Sequence, residues 1–214
     1  MPVFVNRLEN GMKLYDGGRA PNPRRVRIFL AEKGISIPVV PVDIMALEQK
    51  SPVIAGLNPM MRVPILELDD GSALAESVAI CRYFEEIQPE PPLMGVDAKD
   101  RAVVEMWNRR MELNLGAAIG AVARHGNKGM ATLEPVQVPE WADFNRTLVP
   151  GLLAWLNGEL ADREFIAGSR YSIADITALC MIDFMKVTRM PIGDDNIHVL
   201  RWHRTVSERP SAKA

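Results

Sequence analysis

Three prolines fall within five residues at Gln88-Pro-Glu-Pro-Pro92. Proline fixes its own φ, lacks a backbone donor and bars the preceding residue from helical angles. Neither a helix nor an inner strand runs through such a stretch. The chain therefore reads as two parts joined there, and the parts differ in pattern. Before the prolines, short β-branched runs alternate with helical periodicity. After them, no strand pattern is convincing and the apolar residues recur at helical spacing.

The first part reads β-α-β-α-β-β-α. Residues 12–15 form a strand that Asp16-Gly-Gly18 turns. Pro23 opens a helix whose inner stripe is Val26, Phe29 and Leu30, and Gly34 closes it. Arg24, Arg25 and Arg27 fall off that stripe and read as a solvated face. Residues 37–42 form a second strand, placed at a sheet edge by Pro38 and Pro41. Residues 46–57 read as an irregular helix. Residues 64–68 and 72–74 pair around the Asp69-Asp-Gly71 turn, and 76–87 form a helix. In the second part, helices are expected over 98–123, 140–161 and 172–187, with 126–139 as a loop. Ser172-Ile-Ala-Asp175 is a capping box with Asp in place of the usual Glu or Gln, so Asp175 reads as structural.

The charge balance is even, 25 basic against 27 acidic residues, so nothing global draws the chain to nucleic acid or an anionic membrane. The apolar run near Ile173 is cut by Asp175 and Asp183, and no membrane span is read. The start shows no secretory pattern, and cytoplasmic location is expected. Cys81 and Cys180 form no CxxC pair, and with His125, His198 and His203 they make no metal spacing, so no metal is expected.

Three segments in register resemble the cytosolic glutathione S-transferase superfamily. They are Leu14-Tyr-Asp-Gly-Gly-Arg-Ala-Pro-Asn-Pro-Arg-Arg-Val-Arg-Ile28; Asn58-Pro-Met-Met-Arg-Val-Pro-Ile-Leu66 with Ala75-Glu-Ser77; and the Ser172 box. The resemblance implies a thioredoxin-like α/β domain over 12–88 that binds glutathione, after an N-terminal extension over 1–11. It also implies a linker over 89–97 and an all-α second-substrate domain over 98–214. Pro64 stands at the family's cis-proline, where the Val63 backbone would pair with the cysteinyl unit of glutathione. Glu76 would meet the γ-glutamyl ammonium, and Ser77 with its helix start the γ-glutamyl carboxylate. Gln49 and Arg62 lie where relatives contact the glycine end. Met61 replaces the glycine of many members, which suggests that this loop uses ordinary backbone angles.

The chemistry the resemblance implies needs glutathione as a thiolate, and a free thiol titrates near ~8.5. Aligned through Arg25-Val-Arg-Ile28, the family's Ser or Cys position falls on Ala20, which has neither donor nor thiol. Ala20-Pro-Asn22 resembles the Thr-Pro-Asn stretch of bacterial nu-class members, the nearest likeness being nu or theta. That makes Asn22 the catalytic candidate, against a simple helix cap. Tyr15 is the reserve, and Arg19 could add positive potential. Trp107, Met111 and Leu115, with Ile119, recur every four residues and are candidates for the second-substrate pocket, against plain bundle core. The function implied is attack on a small electrophile or a disulfide by a homodimeric transferase. The alternative is a non-catalytic, glutathione-binding or scaffold homologue.

Overall fold

The computed structural model describes residues 6, 7 and 11–214. Its contacts divide into two compact units, one closing at Pro91 and one from Pro92 to Lys213. The extension expected over 1–11 lies outside the described residues, apart from a short strand β1 (Asn6–Arg7) and Gly11.

The first unit is a mixed sheet with helices on both faces. Strand β2 (Lys13–Asp16) is central, with β4 (Val39–Pro41) parallel on one side. On the other side, β5 (Ile65–Glu67) and β6 (Ala73–Ala75) pair antiparallel, giving the order β4-β2-β5-β6. The proline-bearing strand β4 is at the edge, where missing N–H groups break no ladder. Earlier in the chain, β3 (Ile35–Ser36) pairs with β1 instead. The run 37–42, read as one strand, is thus shorter, and 35–36 go to a different sheet.

Alternation along β2 sends its side chains to opposite faces. Asp16 pairs with Arg27 of helix α1 (Pro21–Lys33). Tyr15 packs with Val42, Ile65 and Ile54, the last from helix α2 (Pro52–Leu57). Helix α1 packs on α3 (Ser77–Ile87), so the sheet lies between this pair and α2. Helix α1 ends where the sequence says: Gly34 is left-handed at φ 65° and its N–H reaches the carbonyls of Ala31 and Leu30. The stretch 46–57 resolves into a 3-10 turn (Glu48–Lys50) and α2, separated by Ser51, whose hydroxyl caps α2.

The second unit is wholly helical: α4 (Ala98–Arg110), α5 (Ala117–Gly126), α6 (Pro139–Glu159), α7 (Ile173–Thr188) and α8 (Ile197–Ser207). The run read as one helix over 98–123 is interrupted by a π segment, Met111–Gly116. A Cβ on Gly116 would lie 3.0 Å from Met181 Cγ, so the glycine lets α7 come close at that interruption. Helix α7 is buried on nearly every face and packs against α4, α5 and α8. Its entry is the capping box, with Asp175 accepting the Ser172 N–H at 3.0 Å. Helix α8 was not legible in the sequence. It presents only Val199, Trp202 and Val206 inward, too few apolar positions to stand out.

The stretch 89–97 is held at both ends rather than loose. Lys33 Nζ donates to the carbonyls of Pro89 and Pro91 in the first unit. In the second unit, Leu93 and Met94 are buried and Ile173 N–H donates to Leu93 O.

Candidate functional site

Helix α1 opens at Pro21, two residues before the expected start, with Ala20 as its N-cap in extended conformation. Prolines at the first and third positions are tolerated because N–H groups of a first turn have no intrahelical partner. The first intrahelical bond runs from Arg24 N–H to Ala20 O, 3.1 Å. Between the two prolines Asn22 alone keeps a backbone N–H, so the helix start presents that donor and the Asn22 amide. Asn22 is exposed, and it stands at the second helical position rather than at the cap. The helix-cap alternative for this residue is therefore set aside, since the cap is Ala20.

The chain entering α1 is shaped by Asp16 and two glycines. Asp16 Oδ2 accepts Gly18 N–H at 2.9 Å, while Oδ1 accepts from Arg27. Gly18 is left-handed at φ 60°. Gly17 allows a close approach: a Cβ there would sit 2.9 Å from Val63 Cγ2 and 3.4 Å from Pro23 Cγ. Val63 is thus brought against the start of α1. The Val63–Pro64 peptide is cis, and among the described residues no backbone hydrogen bond is made to Val63.

The loop before Val63 is tied by Asn58, which is buried. Its Nδ2 donates to Arg62 O at 2.9 Å, and its Oδ1 accepts Met60 N–H at 3.1 Å. Met61 lies at φ 50°, in left-handed space. This corrects the expectation of ordinary angles: the Asn58 ties hold the turn, and Met61 occupies a conformation suited to glycine. Met61→Gly should stabilise the protein by about 0.5 kcal/mol, relief of the left-handed strain exceeding the entropy cost of glycine. Chemical denaturation checks this, and a loss of stability would show that Met61 is not strained. Arg62 is exposed. Gln49 is buried in the 3-10 turn, and its Oε1 has no hydrogen-bond partner among the described residues.

At the start of α3, Glu76 is exposed and sits at φ 67°, ψ 113°. A non-glycine residue held there costs about 1–3 kcal/mol. Its carboxylate caps no N–H of the helix. Ser77 is buried, and its Oγ accepts from Arg25 Nη1 at 2.7 Å. Arg25 is fully buried and Arg27 is paired with Asp16. This overturns the solvated-face reading of these two arginines. The signal was present: Arg25, Ile28 and Phe29 are spaced i, i+3, i+4, and all three are 0% exposed. Arg19 is exposed.

Tyr15, the reserve candidate, is engaged elsewhere. Its hydroxyl donates to Glu67 Oε2 at 2.8 Å across the β2–β5 pair, and Lys13 joins the same carboxylate at 3.1 Å. Burial and the Glu67 bond both push the Tyr15 phenol above its ordinary pKa, the opposite of what an acidic donor needs. In the helical unit, Trp107, Met111, Leu115 and Ile119 are 4%, 0%, 1% and 0% exposed. Trp107 stacks on Trp155 at 5.5 Å, with Arg163 4.7 Å from its ring. Trp107, Met111 and Leu115 are thus part of the buried core of the helical unit.

Among the described residues no group of three His, Cys, Asp or Glu is placed to hold a metal. No described helix is long and apolar enough to cross a membrane. Cys81 and Cys180 are both buried.

Residues 20–87 match the model of the glutathione S-transferase N-terminal domain, and residues 130–210 that of the C-terminal domain. The chain is 30% identical over 210 residues to glutathione S-transferase 2 of Saccharomyces cerevisiae, spanning 97% of this chain and 90% of that one. It is 42% identical over 172 residues to a maleylacetoacetate isomerase of Pseudomonas aeruginosa, 77% of each. The crystal structure of a glutathione S-transferase domain-containing protein from Marinobacter aquaeolei superposes with a TM-score of 0.89. Its identity is 40%, over 93% of this chain and 98% of that one.

Proposed function

The chain belongs to the cytosolic glutathione S-transferase superfamily, and from that premise we propose which of its residues do the chemistry. It is an enzyme that uses the glutathione thiolate for transfer to a second substrate. In our reading, residues 12–88 bind glutathione and 98–214 receive the second substrate, with 1–11 as an extension and 89–97 as the connection. The Val63 backbone beside Pro64 pairs with the cysteinyl unit. Glu76 meets the γ-glutamyl ammonium, Ser77 and the α3 start take its carboxylate, and Gln49 and Arg62 take the glycine end.

The sulfur then lies at the start of α1. The observation that carries this assignment is Pro21-Asn22-Pro23 in the first helical turn. Two prolines leave Asn22 as the residue there with a backbone donor, and its exposed amide adds a second. Neutral donors and a positive helix end favour the thiolate over the thiol. From the Ala20-Pro21-Asn22 segment we propose an enzyme of the nu or theta kind, and we propose a cytoplasmic homodimer. Its substrates are a small electrophile, conjugated to glutathione, or a disulfide, reduced through glutathione alone since the chain has no CxxC pair.

The test is the thiol pKa of bound glutathione, read from thiolate absorbance against pH. The native protein should hold it at least about one unit below free glutathione. Asn22→Ala should return about one unit of that, with a rate at neutral pH about tenfold lower. An unshifted thiol in the native protein sinks the reading. A shift that survives in Asn22→Ala moves the credit to the Asn22 backbone N–H. Turnover with an aryl halide and with a small mixed disulfide separates conjugation from reduction.

A further inference from the structure

Arg25 is 0% exposed, as are Ile28 and Phe29 on the same face of α1. A guanidinium stays charged at any ordinary pH, and burying it is costly unless other groups compensate. Its Nη1 lies 2.7 Å from Ser77 Oγ, a bond that joins residues 52 apart in sequence. We propose that Arg25 is a positioning residue for glutathione: it fixes the Ser77 hydroxyl so that its proton points to the bound γ-glutamyl carboxylate. This rests on the assignment of that carboxylate to Ser77 above.

Arginine has only donors, while a hydroxyl has one donor and two acceptor lone pairs. In the Arg25–Ser77 bond the serine oxygen must therefore be the acceptor. Its single proton is left for another acceptor, and an incoming carboxylate supplies one. A serine without Arg25 could turn its proton elsewhere and offer the carboxylate a lone pair, which repels it. The guanidinium also adds a full positive charge behind the first turn of α3, where the helix dipole already favours an anion. Arg25 touches no reacting atom and acts through Ser77.

The experiment compares two peptides by calorimetry: glutathione, and the analogue in which 4-aminobutyryl replaces γ-glutamyl, so that only the carboxylate is missing. The native protein should prefer glutathione by about tenfold to hundredfold. In Arg25→Met this preference should collapse, with glutathione binding weakened to a similar extent and the analogue binding as before. The glutathione KM should rise while kcat at saturation stays within about twofold. Ser77→Ala should show the same pattern, and the double variant should be no worse than the weaker single one. Arg25→Lys keeps charge and donor but not the planar fork, and its preference should fall between the two. If Arg25→Met does not fold, the lysine variant carries the test, and an undiminished preference there overturns the proposal.

Equal weakening of both peptides would mean that Arg25 is merely structural, and the proposal fails. Full additivity of Arg25→Met and Ser77→Ala overturns it as well. If the native protein itself does not distinguish the two peptides, the carboxylate does not bind at Ser77, and the site assignment fails before Arg25 is at issue.

Discussion

Asp175→Ala is expected to lower the melting temperature by about 10–20 °C, a loss of about 5 kcal/mol. The carboxylate is wholly buried at the start of α7 and accepts from four donors. These are Ile166 N–H at 2.9 Å, Ser172 N–H at 3.0 Å, Ser172 Oγ–H at 3.1 Å and the Trp202 indole N–H at 2.8 Å. Each donor left buried without an acceptor costs about 1–3 kcal/mol, and alanine abandons all of them at once. The group also joins three separate stretches: the turn at Ile166, the start of α7, and α8. Thermal unfolding followed by circular dichroism reads the loss, and a shift below about 3 °C would show that water replaces the carboxylate.

The same residue makes stability depend on pH. Burial pushes the Asp175 carboxyl from an ordinary 3.8 up to about 6, despite the four donors pulling the other way. The folded chain thus holds a proton that the unfolded chain has released between those values. Stability conferred by this group therefore rises as pH falls from about 6 toward about 4 and is lost as pH rises through the folded value. The protonated form has a place for its hydrogen, because Ser172 Oγ can turn from donor to acceptor. Measured against Asp175→Asn, which does not titrate, the native protein should gain about 2 kcal/mol between pH 7 and pH 4.5. A constant difference across that range would show that the group stays ionised.

Lys33→Ala should cost about 3–5 kcal/mol. An ammonium has three donors, and here each has its acceptor: Glu85 Oε2 at 2.6 Å, Pro89 O at 2.9 Å and Pro91 O at 2.6 Å. The Nζ lies 5.6 Å from the centre of the Phe29 ring, and the side chain is fully buried. Alanine leaves the Glu85 carboxylate buried without its ammonium and two carbonyls without their donor. Lys33→Met, which fills the space but donates nothing, should recover only the packing part. Lys33→Met with Glu85→Leu should come back further, since an apolar pair can replace a buried ion pair. A specific readout is proteolysis near Gln88: the stretch from Gln88 to Pro91 should become sensitive in Lys33→Ala before the rest unfolds. Loss of less than about 1 kcal/mol with unchanged cleavage would mean that the ammonium holds nothing there.

How much of this was legible beforehand depends on the range of the interaction. Strand and helix patterns, the left-handed stop at Gly34, the edge position of the Pro38 and Pro41 strand, and the Ser172 box are all written within a few neighbouring residues. Each follows from φ preferences, missing donors or face periodicity, and the Gly34 stop, the edge strand and the Ser172 box are found in the structure. The division at the proline cluster is of the same kind, because no partner elsewhere can restore a backbone donor that proline lacks.

The fate of the charged and polar side chains was not legible in this way. Periodicity says which face a residue occupies, not whether that face carries a partner able to hold a charge out of water. Arg25 meets Ser77 across 52 positions, Lys33 meets Pro89 across 56, and Asp175 meets Trp202 across 27 on a helix the pattern did not reveal. Tyr15 and Asn22 were rivals in sequence, and their surroundings separate them. Glu67, 52 residues away, occupies the Tyr15 hydroxyl, while Asn22 is exposed between two prolines, and among the described residues no hydrogen bond from its donors is found. Sequence alone determined what is written locally (the Gly34 stop, the edge strand, the Ser172 box and the proline break) and the family. Tertiary structure alone decided which charges are interior and which donors remain for a substrate, because burial of a charge depends on groups that only the folded chain brings within bonding distance.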